Sequence, residues 1–440
     1  MEEFGGVELG DKRLNRRTLV LAERLYGGAS RSIPSACCGV SETQAAYRYL
    51  SNEKVDWEKI LKPHMDRAEL RMASHPVVLC VQDTTELDFQ GRQTTGLGRL
   101  SHDAQRGMYL HPTLAITPDR EALGVTDLWM WARGPSKASD EENGGVDEGA
   151  RWVEGYERVA EMAARLPQTR LVYVADREGD TADLMARAAA LDTPADWLIR
   201  SRHNRALPGE KPKLWDGFTD AHSVGNITFS MPRRKERPGR SVTQTVFARQ
   251  VKIRAANGQI FPATAIMARE DHPPSGQDPV VWKLLTNRPA QTLKQAAEVI
   301  DWYRARWEIE MFFHVLKIGC KVEELQLGAI ERIENALALY AVVAWRVLVL
   351  LRLGRACPDL SCEVFFQPNE WRAAYIASHK KPPDDPPPLN KVMLMVAAFG
   401  GFLGRKGDGN PGVKPLWTGL QRLADFEYAI SAASKLQTYA

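Results

Sequence analysis

The 440-residue sequence is poor in cysteine, and none of its six cysteines (Cys37, Cys38, Cys80, Cys320, Cys357 and Cys362) forms the C-x2-C spacing of a zinc or redox site. A cysteine-built metal centre and a disulfide framework are therefore excluded, and all six are expected as reduced thiols. No run approaches the length of a membrane span. The most apolar segment, Ala336 to Leu353, carries Arg346 and is expected as a buried core helix, so no membrane partner is expected. The first residues, MEEFGGVELGDKRLNRR, lack the apolar core of a secretory signal, which implies a cytoplasmic setting. An excess of one charge is missing too: 58 Lys and Arg against 55 Asp and Glu leave +3, so any anionic partner must be read from where the charges lie.

Apolar residues make up 44% of the chain, ample for globular folding, and its length predicts two or three domains. Positive charge is dense at 12–17 (KRLNRR), 200–205 (RSRHNR) and 233–240 (RRKERPGR), and acid at 140–148 (DEENGGVDE). The N-terminal stretch LGDKRLNRRTLVLAERL predicts a helix capped by Asp11, with Leu14, Thr18, Leu21 and Leu25 on its inner face and basic residues around its first turns. A second helix is expected in SETQAAYRYL, where Ser41 and Gln44 have capping-box spacing. Such a basic helical module suits phosphate contact, with a merely solvated face as the competing reading.

The period then changes. Val77 to Val81 is a continuous apolar run, as in a strand buried on both faces, and Asp83 follows its end. RGMYLHPTLAITPD and ALGVTDLWMWARG predict two further strands and an antiparallel meander. The run from Ser136 to Gly149 is expected as an exposed loop, followed by a helix in RWVEGYERVAEMAARL. A second buried strand, Leu171 to Ala175, leads into Asp176 and a helix from about Thr181. Residues 205–291 predict a β-rich insertion, and His379 to Asn390 a proline-stiffened linker before two more helices.

An aspartate directly after an apolar strand needs a reason, because charged groups are rarely buried without a partner or a metal. A turn or cap explains either aspartate alone. The stretch DWYRARWEIEMFFHVLK, 301–317, changes the weighting. On a helix, taking Tyr303 as zero, Arg306, Glu310 and Lys317 fall near roughly 300°, 340° and 320°, one polar face. Ile309, Phe312 and Leu316 form an apolar stripe on another side. Three carboxylates on separate elements, Asp83, Asp176 and Glu310, suit two-metal phosphoryl transfer. Magnesium needs few protein ligands in such a site, and neighbouring Arg and Lys would hold phosphates.

The spacing Y-x2-R-x3-E-x6-K through Tyr303, Arg306, Glu310 and Lys317 resembles the signature of the insertion-sequence-four family of bacterial DDE transposases, the group containing the Tn5 type. The blocks LGDKRLNRR, AAYRYLSN, VQDTTELDF, VADREGD, WLIRSRH, VVWKLLTN and GGFLGRKGDGNPGVKPLWTGLQRL follow in family order along nearly the whole chain.

The resemblance implies an α/β architecture: an RNase H-like mixed-sheet catalytic core (69–356) with the β-rich insertion, a helical N-terminal DNA-binding domain (1–68) and a helical C-terminal dimerisation domain (357–440). It implies a catalytic, metal-binding triad of Asp83, Asp176 and Glu310 holding two Mg2+ ions, with Mn2+ able to substitute. It further implies DNA contacts by Tyr303, Arg306, Lys317, Trp307, His314, Arg200 and Arg202, and end recognition by Arg13, Arg17 and Arg48. His314 departs from the family, whose best-known member has lysine there. Trp282 is expected to stack on an extruded base, with an ordinary core tryptophan as the competing reading.

The implied function is a homodimeric, cytoplasmic bacterial transposase acting on terminal inverted repeats and target DNA. It would proceed by end nicking, hairpin formation and opening, and strand transfer. A nuclease of the same fold without strand transfer, or a domesticated non-catalytic DNA-binding protein, are the alternatives.

Overall fold

The computed structural model describes all residues except 1, 29–31, 38, 91–93, 103, 135–147, 232–238, 407 and 439–440, so nearly all of the expected loop at 136–149, part of the basic run at 233–240 and Cys38 lie outside the described residues. The chain begins with helices α1 (Lys12–Gly28), α2 (Ile33–Ala36), α3 (Val40–Leu50) and α4 (Trp57–Met72). Asp11 caps α1 as expected, accepting from the Arg13 N–H at 2.8 Å, while Thr18, Leu21 and Leu25 are buried. The capping box expected at Ser41 is not formed. The helix starts two residues earlier, with Gly39 as N-cap at φ 98°, a conformation glycine adopts without strain, so Ser41 lies inside the first turn.

Among the described residues, eleven strands form one mixed sheet: β1 (Val77–Gln82), β2 (Thr85–Asp88), β3 (Gly98–Arg99), β4 (Arg106–Ile116), β5 (Ala122–Trp131), β6 (Arg170–Ala175), β7 (Asp196–Arg200), β8 (Ser223–Met231), β9 (Arg240–Arg254), β10 (Ile260–Glu270) and β11 (Val281–Thr286). The expected meander is present: β4 pairs antiparallel with β1 on one edge and with β5 on the other. β6 then lies parallel to β1, and β7 parallel to β6. The resulting order, β5-β4-β1-β6-β7 with only the last three parallel, is the RNase H-like arrangement. The β-rich segment does not form a separate body. It adds β11, β10, β9 and β8 antiparallel beyond β7, widening the same sheet.

Successive residues of β1 and β6 point to opposite faces, and both faces are covered. Val78, Cys80, Tyr173 and Ala175 pack under α5 (Ala150–Arg165) and α6 (Ala182–Ala190), the second capped by Thr181 as its sequence predicts. Gly155 lets α5 approach closely: a Cβ there would lie 2.2 Å from the Gln82 side chain. Leu79, Val81, Val172 and Val174 pack on the other face. That layer also holds the N-terminal helices, α7 (Leu293–Ala305), α8 (Trp307–His314) and α9 (Ile330–Ala356), and the C-terminal helices α10 (Pro368–Ala377), α11 (Leu389–Phe399) and α12 (Val413–Thr438). The expected linker at 379–390 is an ordered loop, its Pro387 carbonyl accepting from the Cys362 N–H at 2.9 Å.

By length and composition α9 could cross a membrane, which the sequence reading did not anticipate. In the fold 78% of its apolar window is buried, as a core helix requires, and Trp345 on it donates to the Ala122 carbonyl at 2.9 Å. Among the described residues, Cys80, Cys320, Cys357 and Cys362 are free thiols.

Candidate active site and nucleic-acid interface

Parallel strands β1 and β6 are neighbours, so the residues just past their carboxyl ends, Asp83 and Asp176, emerge side by side. The backbone holds each carboxylate. The Thr84 N–H donates to Asp83 Oδ1 at 2.9 Å, and the Glu178 N–H to Asp176 Oδ1 at 2.7 Å.

Glu310 arrives from the opposite layer. The stretch 301–317 is not the single helix expected. The Arg306 N–H bonds back to Tyr303 and the Ile309 N–H to Arg306, three residues apart at 3.1 Å each, so a tight turn separates α7 from α8. A π-helical turn, Val315–Gly319, then closes the segment. The apolar stripe survives: Ile309, Phe312 and Leu316 are wholly buried, each side chain contributing roughly 1.5–3 kcal/mol of anchoring.

At the break, the Arg306 guanidinium forms an ion pair with Asp83 and lies 3.5 Å from Glu310 Oε1. Burial pushes the Asp83 carboxyl up to about 7; Arg306 opposes this, and the charges of Asp176 and Glu310 add to it. Tyr303 is buried, and burial raises its phenol, against the charges of Arg306 and Arg200. Arg200 is the cationic side chain within reach of its hydroxyl. Asp83, Asp176, Glu310, Tyr303, Arg306 and Arg200 thus converge.

Lys317 does not join them. The π turn shifts it off the α-helical projection, and its Nζ pairs with Glu323 at 3.4 Å. Trp307 and His314 are exposed on α8, and Arg202 is exposed just past β7. Trp282 on β11 is half-buried, stacked on Phe229 at 5.3 Å, and Arg304 lies over the Phe229 ring at 5.0 Å. Arg13 and Arg48 are exposed and Arg17 half-exposed on α1 and α3.

Three residues escaped sequence reasoning. Asp180 is buried and accepts from the Arg202 and His203 N–H groups at 2.6 and 2.9 Å and from Arg205 at 2.7 Å, shaping the basic loop after β7. Its place in VADREGD was the available signal. Phe229 and Arg151 had none.

The donor set suits a hard divalent cation, because all three candidate ligands are carboxylates and one is buried beside like charges. Among the described residues, no three such side chains stand close enough to hold one ion together. Arg306 supplies the positive charge at this open site.

Three family profiles match the chain: a transposase DNA-binding profile over residues 1–55, a transposase DDE domain over 153–346 and the Tn5 transposase dimerisation domain over 342–438. The DDE match contains Asp176 and Glu310, whereas Asp83 lies before it. Among solved structures, the chain is similar to a piggyBac transposase in a synaptic complex with hairpin DNA, at 9% identity and a TM-score of 0.33. That likeness covers 78% of this chain and 56% of the other, so the chain spans little over half its length. At that distance it carries no weight beside the strand order and the three consecutive matches. DDE transposase domains use divalent metal ions. The chain belongs to the Tn5-type DDE transposases.

Proposed function

We propose that the protein is a cut-and-paste DNA transposase that binds the inverted repeats of its element as a homodimer. The observation that carries this reading is the pair of aspartates at the ends of adjacent parallel strands, with Arg306 bridging Asp83 to Glu310 on a separate layer. Asp83, Asp176 and Glu310 would hold divalent ions, two Mg2+ with Mn2+ able to substitute, which activate the attacking oxygen and stabilise the leaving one.

The chain's own groups do the rest. Arg306 shifts from Asp83 toward a strand phosphate once the carboxylates have another counter-charge, and Arg200 and Arg202 hold neighbouring phosphates. Tyr303, Trp307 and His314 extend this surface, Lys317 would reach DNA beside it on leaving Glu323, and Arg13, Arg17 and Arg48 face the end sequence. Trp282 receives a base turned out of the duplex, with Phe229 stacked beneath it. In-line transfers then follow in turn: nicking, attack of the freed 3′-OH on the opposite strand, hairpin opening and joining to target DNA. The C-terminal helices beyond residue 357 would pair the protomers, and the protein would work on DNA in the bacterial cytoplasm.

The test is incubation with Mg2+ and DNA carrying the repeats that flank the gene. Hairpinned ends followed by joined products support the proposal. Nicks without joining favour the nuclease, and binding without cleavage favours a non-catalytic DNA-binding protein.

A further inference from the structure

We infer that Arg151 is a positioning residue that clamps the two aspartate-bearing strand ends together, and that its pairing with Glu178 sets the affinity of the site for divalent cations. The inference rests on the carboxylate site proposed above.

Arg151 sits in the first turn of α5, and its side chain is only 8% exposed. Its Nε donates to Thr84 Oγ1 at 3.2 Å, its Nη2 pairs with Glu178 Oε2 at 2.7 Å, and its Nη1 donates to the Glu148 carbonyl. These side-chain partners are not incidental. Thr84 and Glu178 are the two residues whose backbone N–H groups hold the carboxylates of Asp83 and Asp176. One guanidinium therefore grips both residues that aim the aspartates.

The grip is rigid on each side. The guanidinium lies 5.3 Å from the rings of both Trp131 and Trp152. Thr84 Oγ1, which accepts from Arg151, has its own proton free for His111 Nδ1 at 2.9 Å. His111 Nε2 reaches Gln82 Oε1 at 3.2 Å, and the Tyr173 hydroxyl donates to the same oxygen at 2.7 Å. The His111 ring is buried among these partners, and its neutral form fits this proton order. Only a planar fork spans Thr84, Glu178 and Glu148 at once; a lysine ammonium does not.

Groups that orient metal-binding side chains change metal affinity by about 10- to 100-fold when removed. The test is Mn2+ binding to the full-length, DNA-free protein, followed by electron paramagnetic resonance, in wild type, Glu178→Gln, Arg151→Lys and Asp176→Asn. Glu178 is 56% exposed, so its substitution leaves folding intact even where a change at Arg151 does not. Both Glu178→Gln and Arg151→Lys should weaken Mn2+ binding by about tenfold or more. At saturating DNA each should also raise the Mg2+ concentration for half-maximal cleavage, with end-binding affinity unchanged.

Wild-type Mn2+ affinity in Glu178→Gln overturns the clamp. So does weakening confined to Glu178→Gln with Arg151→Lys normal, because the carboxylate would then act alone. If Asp176→Asn also binds like wild type, the carboxylate site itself fails. Lost binding in Asp176→Asn with both clamp variants normal refutes only the role of Arg151.

Discussion

Cation binding to the DNA-free protein should be linked to proton release through Asp83. Burial, reinforced by Asp176 and Glu310 and opposed by Arg306, places this carboxyl at about 7 instead of 3.8. Below that value an incoming divalent ion must displace a proton, so the apparent affinity falls by about tenfold, or about 1.4 kcal/mol, between pH 8 and pH 6. Calorimetric titration of Mn2+ in two buffers of different ionisation heat measures both quantities. It should find close to one proton released per site at pH 6 and about a tenth of one at pH 8. Arg306→Gln removes the opposing cation, so the transition should move to higher pH. The sign for stability follows from the same shift. A folded-state value raised above the ordinary one stabilises the metal-free fold below pH 3.8 and withdraws that contribution as pH rises through about 7. A pH-independent Mn2+ affinity with no proton release would refute the account of Asp83, as would an Arg306→Gln transition at lower pH.

Trp282→Ala should slow hairpin formation more than first-strand nicking; equal slowing in single-turnover assays would indicate a packing role beside Phe229. Asp180→Ala should destabilise the fold by about 3 kcal/mol or more in denaturant melts, because Arg205 loses its buried partner and the N–H groups of Arg202 and His203 are orphaned. The same variant should weaken DNA-end binding. Burial opposes ionisation of Glu3, but hydrogen bonds from His64 and Arg71 hold its carboxyl at about 2. A lowered value gives stability that is full above the ordinary 4.5 and lost as pH falls through about 2, so Glu3→Gln should cost about 3 kcal/mol at pH 7 and flatten the acid limb of a melting-temperature profile.

The strand ends and the broad architecture were legible because buried parallel strands are written as unbroken apolar runs, and Val77–Val81 and Leu171–Ala175 each end within two residues of an aspartate. The β1-β4-β5 meander was readable from turn residues for the same local reason. Periodicity failed where tertiary contacts outbid it. Arg306 is drawn to Asp83, 223 residues away, and the helix breaks there; the π turn beyond it takes Lys317 off the shared face. Gly39 displaced the Ser41 cap because its positive φ starts α3 earlier. The Arg151 clamp joins positions 67 and 27 residues away in the chain, and nothing in the local pattern marks it.

The most direct test of the central claim is a paired measurement on Glu310→Gln and Asp176→Asn: DNA-end binding by mobility shift, and cleavage of the same DNA with Mg2+. Cleavage should vanish in both variants while end affinity stays near that of the wild type. Undiminished cleavage by either variant would contradict the assignment of Asp83, Asp176 and Glu310 as one metal-binding site.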